Sequence, residues 1–383
     1  MSRMSRVSKV FPEMNVPFLN LAAQHASIKN EVSKAVEAVL TGGHYILGPN
    51  VAEFEKEAAA FTDTKFGIGV NSGSDALTLA LRALDIGPGD EVITSPFTYI
   101  APAESIHQVG AKIVFADIDP RTFTISPAEL AKTISPRTKA IIPIHLFGQA
   151  APLDEIRALA DARGIAIIED CAQAIGAKYD GQSVGSFGRL GCFSFYPTKN
   201  LGADGDGGMV VTNDESLAKK LRMLRVHGIE KRYYHDLHGF NSRLDEIQAA
   251  ILRVKLPHLN RWNARRAEIA KRYSDAFADL PLQLPVTALG NTHVFHVYAL
   301  LSEQRDALQK FLADQGVPTL IYYPLALHLQ KLYANLGFKE GDFPIAEEIS
   351  KKILPLPMYP ELTNEQVIYV AEIVKSFFSK TAS

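Results

Sequence analysis

Only two cysteines, Cys171 and Cys192, occur in 383 residues. Two thiols exclude a disulfide framework and a cysteine-built zinc site, and they fit a reducing compartment. Charge of one sign is lacking too. Forty Lys and Arg stand against 42 Asp and Glu, a formal net charge of −2. That balance gives no general electrostatic case for nucleic acid or an anionic membrane as partner. No apolar run approaches the roughly 20 residues of a membrane span. The first ten residues carry Arg3, Arg6 and Lys9 but no apolar stretch, so they do not read as a secretory signal. Internal repeats and low-complexity tracts are also missing. With 47% hydrophobic and 21% charged residues, a cytoplasmic globular protein of two or three domains is expected.

The chain alternates strand and helix signals. Residues 1–17 read as an unstructured tail. Helical spacing covers Ile28–Leu40 and Val51–Phe61, and Phe66–Val70 is a short strand. Strands are predicted at Glu91–Ser95, Lys112–Ala116, Ala140–His145, Ile165–Asp170 and Gly208–Thr212. Helices are predicted between them, running to Val109, from Pro127, over Leu153–Arg163 and over Ser216–Val226. Such alternation predicts an α/β domain with a mainly parallel sheet and right-handed crossovers, here 18–260. The segment 227–238 is polar and contains three histidines at spacings unlike metal ligands, so it reads as a loop and no metal site is expected. A long helical pattern, interrupted at Pro257, runs to Phe277 and leads into a smaller C-terminal α+β domain, 261–383. There the order is strand Val294–Leu301, helix Glu303–Gln315, strand Thr319–Tyr322, then helices Phe343–Ile353 and Thr363–Phe378.

Three stretches carry chemistry. The first is Gly191-Cys-Phe-Ser-Phe-Tyr-Pro-Thr-Lys199, which continues into a turn containing Gly202, Gly205, Gly207 and Gly208. It sets one lysine on a constrained loop after a strand end. Desolvation there favours the neutral amine, the form that attacks carbonyls. Alone, this is also how a surface lysine beside a turn would look. The second stretch, Gly164-Ile-Ala-Ile-Ile-Glu-Asp170, puts a carboxylate at the tip of a strand that is apolar throughout. Such strands are buried on both faces, and ligands bind beyond their carboxyl ends. A strand-tip Asp and a loop Lys together are what pyridoxal phosphate needs: Asp170 for the pyridinium nitrogen, Lys199 for the Schiff base.

The third stretch runs from strand Phe66–Val70 through Asn71-Ser-Gly-Ser-Asp75 into an apolar helix, Ala76–Leu84. Strand, small polar turn, helix is a phosphate site in outline. Ordinary capping by Ser72, Ser74 or Asp75 would give the same pattern. Phe97 and Tyr99 follow another strand end. An aromatic there can stack on a planar cofactor, though core packing is the simpler reading.

As a set, these motifs resemble the DegT/DnrJ/EryC1/StrS family of pyridoxal-phosphate-dependent nucleotide-sugar aminotransferases, from about Phe18 to Lys375. The resemblance rests on Asn-Ser-Gly-Ser-Asp-Ala-Leu at 71–77, Pro-Phe-Thr-Tyr at 96–99 and Glu-Asp-Cys-Ala-Gln at 169–173. It is completed by Ser-Phe-Tyr-Pro-Thr-Lys-Asn-Leu-Gly at 194–202 and Gly-Phe-Asn-Ser-Arg-Leu-Asp at 239–245. It implies the aspartate aminotransferase fold (fold type I) and a homodimer. It implies Lys199 as the Schiff-base lysine, Asp170 on the ring nitrogen, Gln173 near the ring hydroxyl and Tyr99 stacked on the ring. Gly73, Ser74 and Ser194 would hold the phosphate. Asn241 would reach the phosphate from the partner subunit, with Arg243 beside it for substrate.

The resemblance further implies transfer of an amino group from L-glutamate to a nucleotide-linked keto-sugar, by way of pyridoxamine phosphate. The subgroup that the chain resembles aminates 3-keto sugars on UDP or dTDP. Tyr322, Tyr323 and His328 fall in a segment that would touch the sugar. Many relatives have His-Tyr-Pro-Ile-Pro where this chain has Tyr322-Tyr323-Pro324-Leu325-Ala326. Rival expectations are a sugar dehydratase, which would carry histidine in place of Lys199, and a non-catalytic regulator on the same fold.

Overall fold

The structure, a computed structural model, describes residues 14–381. Its large sheet has seven strands in the order Phe66–Val70, Gly208–Thr212, Leu190–Ser194, Ala166–Asp170, Thr138–Ile141, Glu91–Thr94 and Lys112–Phe115. From Leu190–Ser194 outward to Lys112–Phe115 every pairing is parallel. Gly208–Thr212 is reversed against both of its neighbours. The cause is the connection. A loop, not a helix, joins Ser194 to Gly208, so the chain returns antiparallel rather than crossing over.

Alternation along these strands feeds two separate cores. Val92, Ile142 and Ile168 enter one, with Leu77 and Leu81 of the helix Gly73–Ala83. Ile93, Ile141 and Ile167 enter the other, with Ile156 and Ala160 of the helix Leu153–Asp161. Successive side chains point to opposite faces, so covering both faces demands a nearly unbroken apolar run. One buried ion pair locks the edge: Arg225 meets Glu55 and donates to Gly69 O at 2.9 Å, while Gly69 N donates to Glu55 at 2.8 Å.

A third core gathers Tyr273 and Phe277 with Tyr298, Leu300, Leu354, Leu356, Val370 and Val374. Its strands, Tyr298–Leu301 and Ile353–Leu356, pair antiparallel. Alternate residues of this pair, Ala299, Leu301 and Ile353, join the large core instead, so the two halves share a seam. The expected division at 260/261 falls inside the helix Leu259–Phe277. Pro257 sits in a single 3-10 turn, Leu256–His258, between that helix and Glu246–Lys255.

Several expectations are corrected. Residues 14–17 are not a loose tail: Val16 is fully buried and its N–H donates to Gly316 O at 2.9 Å. The expected tail over 1–13 lies outside the described residues. Thr319–Tyr322 is not a strand. The partner of Tyr298–Leu301 is Ile353–Leu356, whose first residue was expected at a helix end. The segment 227–238 contains a small hairpin, Ile229–Lys231 with Tyr234–His235, where a loop was expected. No helix among the described residues is long and apolar enough to cross a membrane.

Candidate active site

A cavity of about 460 Å³ lies over the carboxyl ends of the parallel strands. Four strands of the sheet each deliver one part of it. Phe66–Val70 delivers the turn Ser72-Gly73-Ser74 at the start of a helix, and Glu91–Thr94 delivers Thr98 and Tyr99. Ala166–Asp170 delivers Asp170 and, beyond it, Gln173. Leu190–Ser194 delivers Ser194 and then Lys199.

The turn is held by its own chemistry. Ser72 caps the helix Gly73–Ala83, its hydroxyl accepting from Asp75 N at 3.1 Å. That leaves the free N–H groups of the first turn aimed outward, so capping and anion binding coexist. Residue 73 must be glycine: a Cβ there would stand 2.6 Å from Ser194 Cβ. Gly202 closes the lysine loop in the same way, since a Cβ would meet Pro197 O at 2.3 Å.

Asp170 is almost fully buried, yet its carboxylate receives one hydrogen bond, from Ala172 N to Oδ1 at 3.0 Å. Burial pushes its pKa up; the Ala172 N–H, the Lys199 cation and His145 oppose this. The Lys199 N–H donates to Tyr196 O at 2.9 Å, but its side-chain amine makes no hydrogen bond or ion pair among the described residues. Burial pulls its amine down from 10.5 to about 8, against the attraction of Asp170. An under-satisfied carboxylate, an unpartnered amine and a helix N-terminus therefore face one space. A pyridinium that carries an aldehyde and a phosphate satisfies all three, so these residues fit pyridoxal phosphate.

The remaining contacts are specific. Gln173 is oriented at both ends: Phe147 N donates to its Oε1 at 2.8 Å, and its Nε2 donates to Tyr323 Oη at 3.1 Å. Burial raises the Tyr323 pKa, so the hydroxyl keeps its proton. Tyr322 and Tyr323 both line the cavity. Phe97 and Tyr99 part ways: Phe97 is core, whereas Tyr99 is 59% exposed and lines the cavity.

Three expected site residues do not line this cavity. Asn241 and Arg243 lie beside the end of helix Glu215–Leu224, where Ser242 N donates to Arg225 O at 2.9 Å. Ser242 also ties this segment to the phosphate turn: its hydroxyl donates to Asp75 at 2.6 Å and accepts from Asn71 N at 3.2 Å. His328 lies outside this cavity: it is buried against Phe343, and its Nε2 lies 2.9 Å from Glu347 Oε1. Residues that the sequence did not flag also line the cavity, chiefly His296, Asp206 and Tyr196. His296 had no local signal; its neighbours Phe295 and Val297 read as part of a strand.

One buried group among the described residues, His145, Glu169 and Cys171, has metal-ligand composition. Its donors are already spent. Ala151 N donates to His145 Nδ1 at 3.0 Å, so Nε2 carries the hydrogen and donates to Glu169 at 2.9 Å.

Residues 26–375 match the DegT/DnrJ/EryC1/StrS aminotransferase family. The chain belongs to this family. A pleiotropic regulatory protein of Geobacillus stearothermophilus is 50% identical, over 95% of this chain and 99% of that one. A UDP-N-acetyl-3-dehydro-alpha-D-glucosamine 3-aminotransferase of Acidithiobacillus ferrooxidans is 47% identical, over 94% and 97%. The solved structure of S. venezuelae DesV with a ketimine intermediate superposes with a TM-score of 0.93 at 45% identity, covering 95% and 98%. The fold is therefore fold type I, and the chain is a sugar aminotransferase. Its cofactor is pyridoxal phosphate; similar solved chains hold the pyridoxal or pyridoxamine form.

Proposed function

We propose that the protein moves an amino group from L-glutamate to carbon 3 of a keto-hexose carried on UDP or dTDP, in the cytoplasm. The observation that carries the reading is the convergence of Lys199, Asp170 and the Ser72–Ser74 helix start on one cavity. Relatives named for 3-amino transfer on both UDP and dTDP sugars supply the substrate class.

When bound, pyridoxal phosphate supplies an electron sink and carries the amino group between two half-reactions. Lys199 is the group that moves the proton at the donor's α-carbon. With its amine drawn down to about 8, a useful fraction is neutral near neutral pH. Asp170 would hold a proton on the ring nitrogen by charge, since its carboxylate keeps an open oxygen to accept from that nitrogen. Gly73, Ser74 and Ser194 would hold the phosphate, Gln173 would orient the ring oxygen, and Tyr99 would stack on the ring; all of them line the cavity. Tyr322 and Tyr323 meet the sugar. Two half-reactions that share one set of groups predict ping-pong kinetics.

Asn241 and Arg243 serve the site of the partner subunit in a homodimer. The reading is supported by their place outside their own chain's cavity and by exposed apolar side chains such as Tyr45, Ile46 and Leu47. The name of the Geobacillus relative keeps a regulator as the second reading. The test is mass spectrometry of products after offering UDP- and dTDP-3-keto-sugars with L-glutamate. An amino sugar with 2-oxoglutarate is expected. No turnover by protein that binds the cofactor fully would favour the regulator.

A further inference from the structure

The helix Gly73–Ala83 starts with half of a capping box. Ser72 is its cap, and the Ser72 hydroxyl accepts from Asp75 N at 3.1 Å. In a complete box the acidic side chain three residues on reaches back to the N–H of the cap residue. Here it does not. The Asp75 carboxylate accepts from the Ser242 hydroxyl at 2.6 Å instead, and Ser72 N has no acceptor among the described residues. Ser242 is fully buried, and its hydroxyl is committed both ways, since it also accepts from Asn71 N at 3.2 Å. Its own backbone is fixed. Ser242 N donates to Arg225 O at 2.9 Å, and the Arg225 guanidinium donates at 2.9 Å to Gly69 O, on the strand that leads into the turn. The strand and the segment after Ser242 approach closely: a Cβ on Gly69 would stand 2.9 Å from Leu244 Cβ.

We propose that Ser242 is a positioning residue for the cofactor's phosphate: it diverts the Asp75 carboxylate from the cap and so keeps the N–H groups of the turn open to an anion. An acid in the first turn of a helix is drawn to the same free N–H groups and positive dipole end that a phosphate uses. Left loose, Asp75 would fold back onto Ser72, fill one of those donors and repel the phosphate by charge. Held by Ser242, it stays off the cavity, which Ser72, Gly73 and Ser74 line and Asp75 does not. Ser242 acts only through Asp75 and Asn71. The proposal rests on the reading of Ser72–Ser74 as the phosphate site.

The test compares pyridoxal phosphate with pyridoxal, which share ring and aldehyde and differ in the phosphate. Apo-protein is titrated with each and followed by absorbance. Wild type should bind the phosphate ester far more tightly. In Ser242→Ala the affinity for pyridoxal phosphate should fall about tenfold, while that for pyridoxal stays the same. Ser242→Cys, which fills the same space with a weaker donor, should fall between wild type and Ser242→Ala. The decisive variant is the double one. Adding Asp75→Ala to Ser242→Ala should restore most of the lost affinity, because the competing carboxylate is gone. A purely structural serine gives no such rescue. Three results would overturn the proposal: unchanged preference for the ester in Ser242→Ala, equal weakening of both ligands, or a double variant no better than Ser242→Ala. Wild-type protein that binds pyridoxal as tightly as its phosphate ester would instead overturn the reading of the turn as the phosphate site, and the proposal with it.

Discussion

Glu169 and Asp170 are neighbours on one strand, both buried, and they have opposite fates. Strand alternation sends them to opposite faces. Glu169 accepts from His145 Nε2 at 2.9 Å, Gly185 N at 2.8 Å, Phe187 N at 2.8 Å and Gly188 N at 2.7 Å. Asp170 receives a single side-chain hydrogen bond and opens onto the cavity. A saturated buried carboxylate anchors loops; here it joins 185–188 to the turn after His145. An under-satisfied one beside a cavity is held ready for a ligand, and its raised pKa is the mark of that incompleteness. The contrast also separates His145, spent at both nitrogens, from His296, spent at one.

The strongest break in this contrast is on the ligand side. Lys199→Ala should cut steady-state transamination by about 10⁴-fold or more, with the fold intact by circular dichroism. Borohydride reduction of wild-type holoenzyme should put the pyridoxyl group on the Lys199 peptide; label on another lysine would move the site. Asp170→Asn should still bind cofactor and lose about a thousandfold in both half-reactions, roughly 4 kcal/mol. Its urea midpoint should not fall, since little in the protein depends on that carboxylate. Near-normal turnover would refute its role.

Glu169→Ala should do the reverse. Four stranded donors should lower stability by about 3 kcal/mol or more in urea unfolding, while turnover per folded site stays near wild type. Equal losses of stability and turnover would erase the distinction between the two carboxylates.

A subtler test concerns pH. In apo-protein the Lys199 amine should half-titrate near pH 8, not 10.5, by competitive labelling. Asp170→Asn should lower that value further, because the carboxylate's attraction holds it up. The folded pKa lies below the unfolded one, so between about 8 and 10.5 the unfolded chain binds more protons. Apo-protein stability should therefore gain from this group as pH rises through that window, and Lys199→Met should abolish the gain.

The smallest effect sharpens the boundary between residues inside and outside one chain's cavity. Lys199→Ala and Arg243→Ala chains, co-expressed with different tags, should form hybrid dimers with about half the wild-type activity, since one of their two sites is intact. Hybrids no better than the single mutants would place Arg243 in its own chain's site.

Much of this was legible in the sequence because its signals are local. The strands Phe66–Val70 and Gly208–Thr212 have the bounds that their apolar runs predict. Asp170 at the end of Ala-Ile-Ile-Glu-Asp and Lys199 before a glycine-rich turn could be picked out without any fold, and both line the cavity. Short runs misled where pairing is decided elsewhere. Thr319–Tyr322 has strand composition but spends its end on the cavity wall. Ile353–Leu356 contains Pro355, which argues against a strand, yet it pairs in a two-stranded edge where one missing N–H is tolerated.

The sequence by itself determined the alternating α/β order, the two-sided burial of the strands, and the placing of the lysine and carboxylate that we propose carry the chemistry. Each is written in neighbouring residues, through periodicity or through turn chemistry. Only the tertiary structure decided which buried polar groups are satisfied. It closed Glu169 with donors from residues 145 and 185–188, sent His328 to Glu347, and set His296 beside Lys199 through Asn200. Hydrogen-bond saturation is a sum over partners distant in the chain. No local pattern encodes that sum, and it is what divides a structural buried charge from a functional one.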